Sequence, residues 1–161
     1  MILLLKITLV LVCALIAFQD FKERMVSWIL FPVIGFLLGL LYIWNTSFEQ
    51  FYPFVFTNML LITGIVLALF VYTKYVAQMK FLNVSFGLGD LLFFYAFALG
   101  FPTITFLILF VGAILFSLIV FLVSKGKQEK DTIPLAGLMG SFLIVVTLVS
   151  FFPNTPSLYI V

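Results

Sequence analysis

The sequence predicts an all-α polytopic membrane protein with six transmembrane helices and both termini outside, built as a single membrane-embedded domain over residues 1–161. Three observations carry this expectation. Of the 161 residues, 65% are apolar and only 9% charged; soluble domains carry about 25% charge, so this chain has too few charged side chains to cover itself with a water-facing surface. The mean hydropathy of +1.36 is concentrated in long apolar runs, and at ~20 residues per crossing the length holds six spans joined by short connections. Seven of the eight basic residues fall in alternate interruptions of those runs, the asymmetry that sets orientation across a bilayer.

The runs cover 2–19, 26–44, 53–73, 88–101, 103–123 and 133–152. The first reads as a retained helix. Only Lys6 supplies positive charge near its start, and Val12 before Cys13 is too bulky for a lipoprotein cleavage site. Cys13 then serves as a small buried hydrophobe. The second run carries Gly35 and Gly39, a Gly-x-x-x-Gly spacing that admits a close helix neighbour within the molecule. The fourth is short and ends at Gly100-Phe101-Pro102, a turn signal; joined to the fifth it would be far longer than one crossing needs, so two spans are expected. Trp28, Trp44, Tyr42, Tyr52 and Tyr72 fall near span ends, where aromatic rings anchor at the interface.

Orientation follows from the basic residues. Lys22 and Arg24 follow the first run, Lys74 and Lys80 the third, and Lys125, Lys127 and Lys130 the fifth. The connections around Glu49 and Pro102, and the tail from Pro153 to Val161, have none. The three basic connections are therefore placed in the cytoplasm, and Lys6 is expected to snorkel toward the outer interface.

Absences narrow the chemistry. With no His and one Cys, the chain cannot build a Ser–His or Cys–His nucleophilic pair, a His-ligated zinc site or a thiolate cluster, and no metal or cofactor is expected. A net charge of +2 from scattered residues gives no basis for a nucleic-acid partner. Among the six acidic residues, Glu23, Glu49, Glu129 and Asp131 read as solvated loop charge. Asp20 and Asp90 differ, because each sits at the cytoplasmic end of a span and the topology brings both to one membrane depth. Charge at that depth is costly and tends to be paired or functional. Two carboxyls sharing a proton can work as general base and general acid on one water. The alternative is that Asp20 pairs with Lys22 or Arg24 while Asp90 caps its helix. By the helix dipole, Asp20 near a C-terminal end would be the protonated partner and Asp90 near an N-terminal end the anion, but Lys22 and Arg24 oppose this by stabilising Asp20 as an anion, so the sequence assigns neither role. Gly87 and Gly89 next to Asp90 would let an extended substrate segment approach closely, although Gly-x-Gly equally suits any flexible helix entry.

These residues together resemble a known family. Gly87-Leu88-Gly89-Asp90 matches the Gly-x-Gly-Asp signature of the membrane aspartic peptidases, which include prepilin peptidases, preflagellin peptidases and presenilins. Asp20-Phe21-Lys22-Glu23-Arg24-Met25-Val26-Ser27 is similar to the prepilin-peptidase stretch in which an aspartate at the end of the first helix precedes alternating basic residues. Ile133-Pro134-Leu135-Ala136-Gly137 is similar to that family's Ile-Pro-Phe-Gly-Pro segment. Order, spacing and the six-span pattern agree over the whole chain. Departures are Ser27 where Pro is common, Leu92 where Lys often stands, and Ala136-Gly137 in place of Gly-Pro.

The resemblance implies a metal-free aspartic endopeptidase of the inner (cytoplasmic) membrane, with Asp20 and Asp90 catalytic. Lys22, Arg24, Gly87, Gly89, Ile133 and Pro134 would bind substrate or support the site. The implied partners are pilin-like precursors, whose leader would be cut at the cytoplasmic face, and membrane lipids. Because the chain opens directly on the first span, the expectation is a short peptidase-only form without the methyltransferase segment of larger members. The rival expectation is a small proton- or cation-coupled transporter or channel subunit with the aspartates as a relay.

Overall fold

The computed structural model describes residues 1–76, 78, 87–124, 134–152 and 157–159. Six helices form among them: α1 (Ile2–Glu23), α2 (Leu30–Asn45), α3 (Phe48–Tyr75), α4 (Leu88–Ala98), α5 (Thr103–Ser124) and α6 (Leu135–Val149). Each apolar run becomes one helix. Three of them, Ile2–Glu23, Phe48–Tyr75 and Thr103–Val123, are long and apolar enough to cross a membrane, as expected of a membrane protein. The helices α2, α4 and α6 are shorter, at 16, 11 and 15 residues.

Boundaries depart from the apolar runs for local reasons. The first helix continues past residue 19 because charge marks where solvation begins, not where helical hydrogen bonding ends. It stops when Arg24 adopts the left-handed conformation (φ 57°) and donates its N–H to the Asp20 carbonyl. The second helix starts at Leu30, four residues later than expected, after a connection pinned by the Ser27 N–H on Gln19 Oε1 at 2.9 Å. Pro32 is tolerated there because it lies in the first turn, where its missing N–H has no helical partner to lose. The third begins early, at Phe48, where the Ser47 side chain accepts from the Gln50 N–H and caps the helix. Lys80, Lys125, Lys127, Lys130, Glu129, Asp131 and Ile133, which carry part of the orientation and site expectations, lie outside the described residues.

Small residues set the closest packing. The sixth helix lies along α1, where a Cβ on Gly137 would come within 3.4 Å of Ala17 Cα and one on Gly140 within 3.5 Å of the Cys13 carbonyl oxygen. The second helix packs on α1 and α4. Gly35 faces Leu99 and Ala96, and Gly39 faces Phe51, so the Gly-x-x-x-Gly spacing serves contacts within the chain. Between α4 and α5 the core is a lattice of rings. Phe94 meets Phe110 edge-on at 4.8 Å, and Phe106 stacks on Phe110 at 5.4 Å. Outward faces of α3 and α5 stay apolar and exposed, as at Leu67, Ile108 and Val123; lipid, not water, suits such a surface.

The turn between α4 and α5 lies inside the bundle, with Gly100, Phe101 and Pro102 buried. Backbone carbonyls at such a turn need partners that water cannot supply. Asn58 on α3 supplies them, donating through Nδ2 to the Ala98 and Phe101 carbonyls at 3.1 and 2.9 Å. Tyr159 packs over the same end, its ring 5.8 Å from that of Tyr42 and 6.0 Å from that of Phe101. Lys6 donates to the Ser150 carbonyl at 2.9 Å and lies over the Phe151 ring, contacts at the end of α6 that are compatible with the expected snorkelling. A cation at the C-terminal end of α6 complements the helix dipole.

Candidate active site

Asp20 belongs to the buried stripe of α1 that includes Cys13, Ile16 and Ala17, one turn before the helix ends. The spacing of three and four residues puts that stripe on one face, and the face is the one α6 covers. Asp90 is the third residue of α4, whose N-cap is Gly87. Both carboxyls converge on the start of α6. There the first amides have no carbonyl one turn earlier to bond, so they remain available as donors. The Gly137 N–H donates to Asp20 Oδ2 at 2.6 Å, and the Ala136 N–H donates to Asp90 Oδ1 at 2.9 Å. Two acids 70 residues apart are thus held by two consecutive backbone amides.

Glycines make the approach possible. A Cβ on Gly137 would stand 2.9 Å from Asp20 Cβ and 3.0 Å from its Oδ2. One on Gly87 would stand 2.8 Å from Asp90 Oδ2, and the Gly87 amide is a further hydrogen-bonding partner of that carboxyl. Asp90 therefore does cap its helix, reaching back from the third position to the N-cap amide, while its other oxygen bonds α6. Room for a substrate is one expectation for the two glycines of this motif. In the structure the space beside Gly87 is taken by the Asp90 carboxyl, and a Cβ on Gly89 would meet the Phe31 ring of α2 at 3.3 Å.

The charges around the pair are few. Asp20 and Asp90 are close enough to act on each other electrostatically, and the Arg24 guanidinium acts on Asp20. Lys22 does not join them; its Nζ lies 5.5 Å from the Phe18 ring centroid, on the exposed side of α1. Pro134 is buried as the N-cap of α6, and its carbonyl accepts the Leu138 N–H at 3.0 Å. Ile133 lies outside the described residues. Glu23 and Glu49 are exposed. Among the described residues no third His, Cys, Asp or Glu joins the two aspartates in a group that could hold a metal ion.

Ala136 and Gly137 belong to the 133–137 stretch, whose residue types alone assign neither of them a role. The signal that could have found them is Pro134. A proline that opens a helix leaves the next amides unbonded, and the nearby glycine removes the side chain that would block an approaching acid. No protein-family model matches the chain, and neither a curated protein nor a solved structure matches it.

Proposed function

We propose that the chain is a membrane aspartic endopeptidase of the prepilin-peptidase type, which removes the leader of type IV pilin-like precursors at the cytoplasmic face. In this reading it resides in the inner membrane, crosses it six times with both termini outside, and needs no metal or cofactor. The observation that carries the proposal is the convergence of Asp20 and Asp90 on the Gly137 and Ala136 amides. Two isolated loop charges would have no reason to meet there, since desolvating a second acid beside the first is costly.

The chemistry needs one proton between the two carboxyls. The ionised member takes a proton from water as the water oxygen attacks the scissile carbonyl carbon. The protonated member gives its proton to the carbonyl oxygen, which yields a neutral gem-diol. Collapse breaks the C–N bond, with the leaving amine protonated by the carboxyl that first served as base and the other carboxyl recovering its proton from a diol hydroxyl. The Gly137 and Ala136 amides each fix one oxygen of a carboxyl throughout, so the pair is oriented before substrate arrives.

Asp20→Asn and Asp90→Asn test the reading. Each keeps side-chain size and hydrogen bonding but cannot exchange the proton. Each should reduce cleavage of a pilin-like precursor by at least about a hundredfold while the protein still accumulates in the membrane. Glu23→Gln and Glu49→Gln should keep substantial activity. Near wild-type processing by either Asn variant would sink the peptidase reading and leave a proton or cation relay as the leading one.

A further inference from the structure

The two aspartate-bearing helices share a core but do not approach each other backbone to backbone. No Cα of α1 lies within 8 Å of a Cα of α4 among the described residues, whereas α6 packs against both. Among the described residues, the hydrogen bonds that tie the Asp20 carboxyl and the Asp90 carboxyl to a common element come from the first turn of α6. At that turn the fit depends on one missing side chain. The space a Gly137 Cβ would need is bounded by Asp20 Cβ at 2.9 Å and by the Ala17 backbone at 3.4 Å, neither of which is the far end of a flexible chain.

We propose that the first turn of α6 assembles the carboxyl pair, with Gly137 as its positioning residue: its amide and its lack of a side chain set where Asp20 stands relative to Asp90. The inference rests on the peptidase reading only for its kinetic consequence. In this role Gly137 makes no contact with substrate and acts through Asp20. A methyl group at 137 pushes α1 away or rotates Asp20 off its amide, and the two carboxyls lose their fixed separation. Gly140 provides an internal comparison. It faces α1 one turn further along the same helix, but a Cβ there would meet the Cys13 carbonyl oxygen at 3.5 Å and nothing nearer, an ordinary contact.

The experiment compares Gly137→Ala with Gly140→Ala in two measurements on purified full-length protein. In the first, precursor cleavage is resolved into kcat and KM. Gly137→Ala should lower kcat by on the order of a hundredfold, the scale of a misplacement near 1 Å, with KM within about twofold. Gly140→Ala should leave both near wild type. In the second, infrared spectroscopy follows the carboxyl bands of Asp20 and Asp90, identified by their disappearance in the Asp→Asn variants. Gly137→Ala should shift them and Gly140→Ala should not. Equal losses in both glycine variants, with KM rising and the bands unmoved, would mean that α1–α6 packing alone matters, and the inference would fall. Wild-type kcat and unmoved bands in Gly137→Ala would overturn it too, while leaving the Asp→Asn result to decide the peptidase question separately. If the wild-type protein cleaves no precursor, the infrared comparison alone decides the role of Gly137.

Discussion

Asn58 shows how a single side chain lets the backbone turn inside an apolar bundle. It is fully buried on α3, and its two donor bonds satisfy the carbonyls that α4 leaves behind as it ends. Leucine would fill the volume and strand both carbonyls, at about 1–3 kcal/mol for each unsatisfied group. Leucine also removes the Asn58 Oδ1, itself buried without a partner among the described residues, so Asn58→Leu should lower unfolding stability in detergent by about 1–3 kcal/mol net; an unchanged midpoint would show that the two bonds give no net stabilisation. Because α4 also carries Asp90, cleavage should fall alongside stability. The aspartates invite a second test at the same scale. A chain with no His and one Cys has too few of the usual ligands for a closed zinc site, so chelator treatment should leave cleavage intact. Activity lost to a chelator and restored by a divalent ion would count against the two-carboxyl mechanism.

Whole helices were more legible in the sequence than their ends. Six apolar runs foretold six helices because burial or lipid contact demands uninterrupted apolar length. Their ends depend on single residues whose roles no hydropathy profile carries, such as Arg24 at positive φ, Ser47 as a cap and Gln19 holding the Ser27 amide. The carboxyl pair was likewise visible as two rare acids at one depth. Its holder was not, since the donors on α6 are backbone groups that every residue but proline possesses. Glycine tests whether these element contacts are real. Gly35→Val should destabilise the α2–α4 packing by about 1–3 kcal/mol, since a Cβ there already meets Leu99 Cδ1 at 2.9 Å and the Ala96 backbone at 3.4 Å. Gly64 sits mid-helix in α3 with nothing within 4 Å of its added Cβ. Gly64→Ala should raise stability by about 0.5–1 kcal/mol through helix propensity alone. Opposite shifts in the two unfolding midpoints are the expected result; similar shifts would contradict the α2–α4 contact.

For the molecule as a whole the decisive quantity is which way it sits in the membrane. The third helix answers this most directly, because it alone carries a charged, exposed residue in both its first and last turns. Glu49 and Lys74 lie 25 residues apart on α3, about 38 Å along its axis, which exceeds a hydrocarbon core of ~30 Å. A crossing α3 would therefore project them on opposite sides. In the orientation proposed from the basic residues, Lys74 would lie with Lys22 and Arg24 on the cytoplasmic side and Glu49 outside. The same proposal would place the C-terminal segment outside, and Asp20, one turn before the end of α1, near the inner surface, where the leader of a proposed precursor would arrive. Single cysteines in a Cys13→Ala background, probed on intact cells with a membrane-impermeant thiol reagent, should be labelled at Glu49 and Asn154. Cysteines at Lys74 and Lys127 should react only after permeabilisation. Labelling of Lys74 from outside with Glu49 protected would invert the molecule and put the carboxyl pair on the wrong face for a cytoplasmic leader, whatever the Asp→Asn variants did. Labelling of both from outside would mean that α3 does not cross at all, and the six-span arrangement would have to be abandoned.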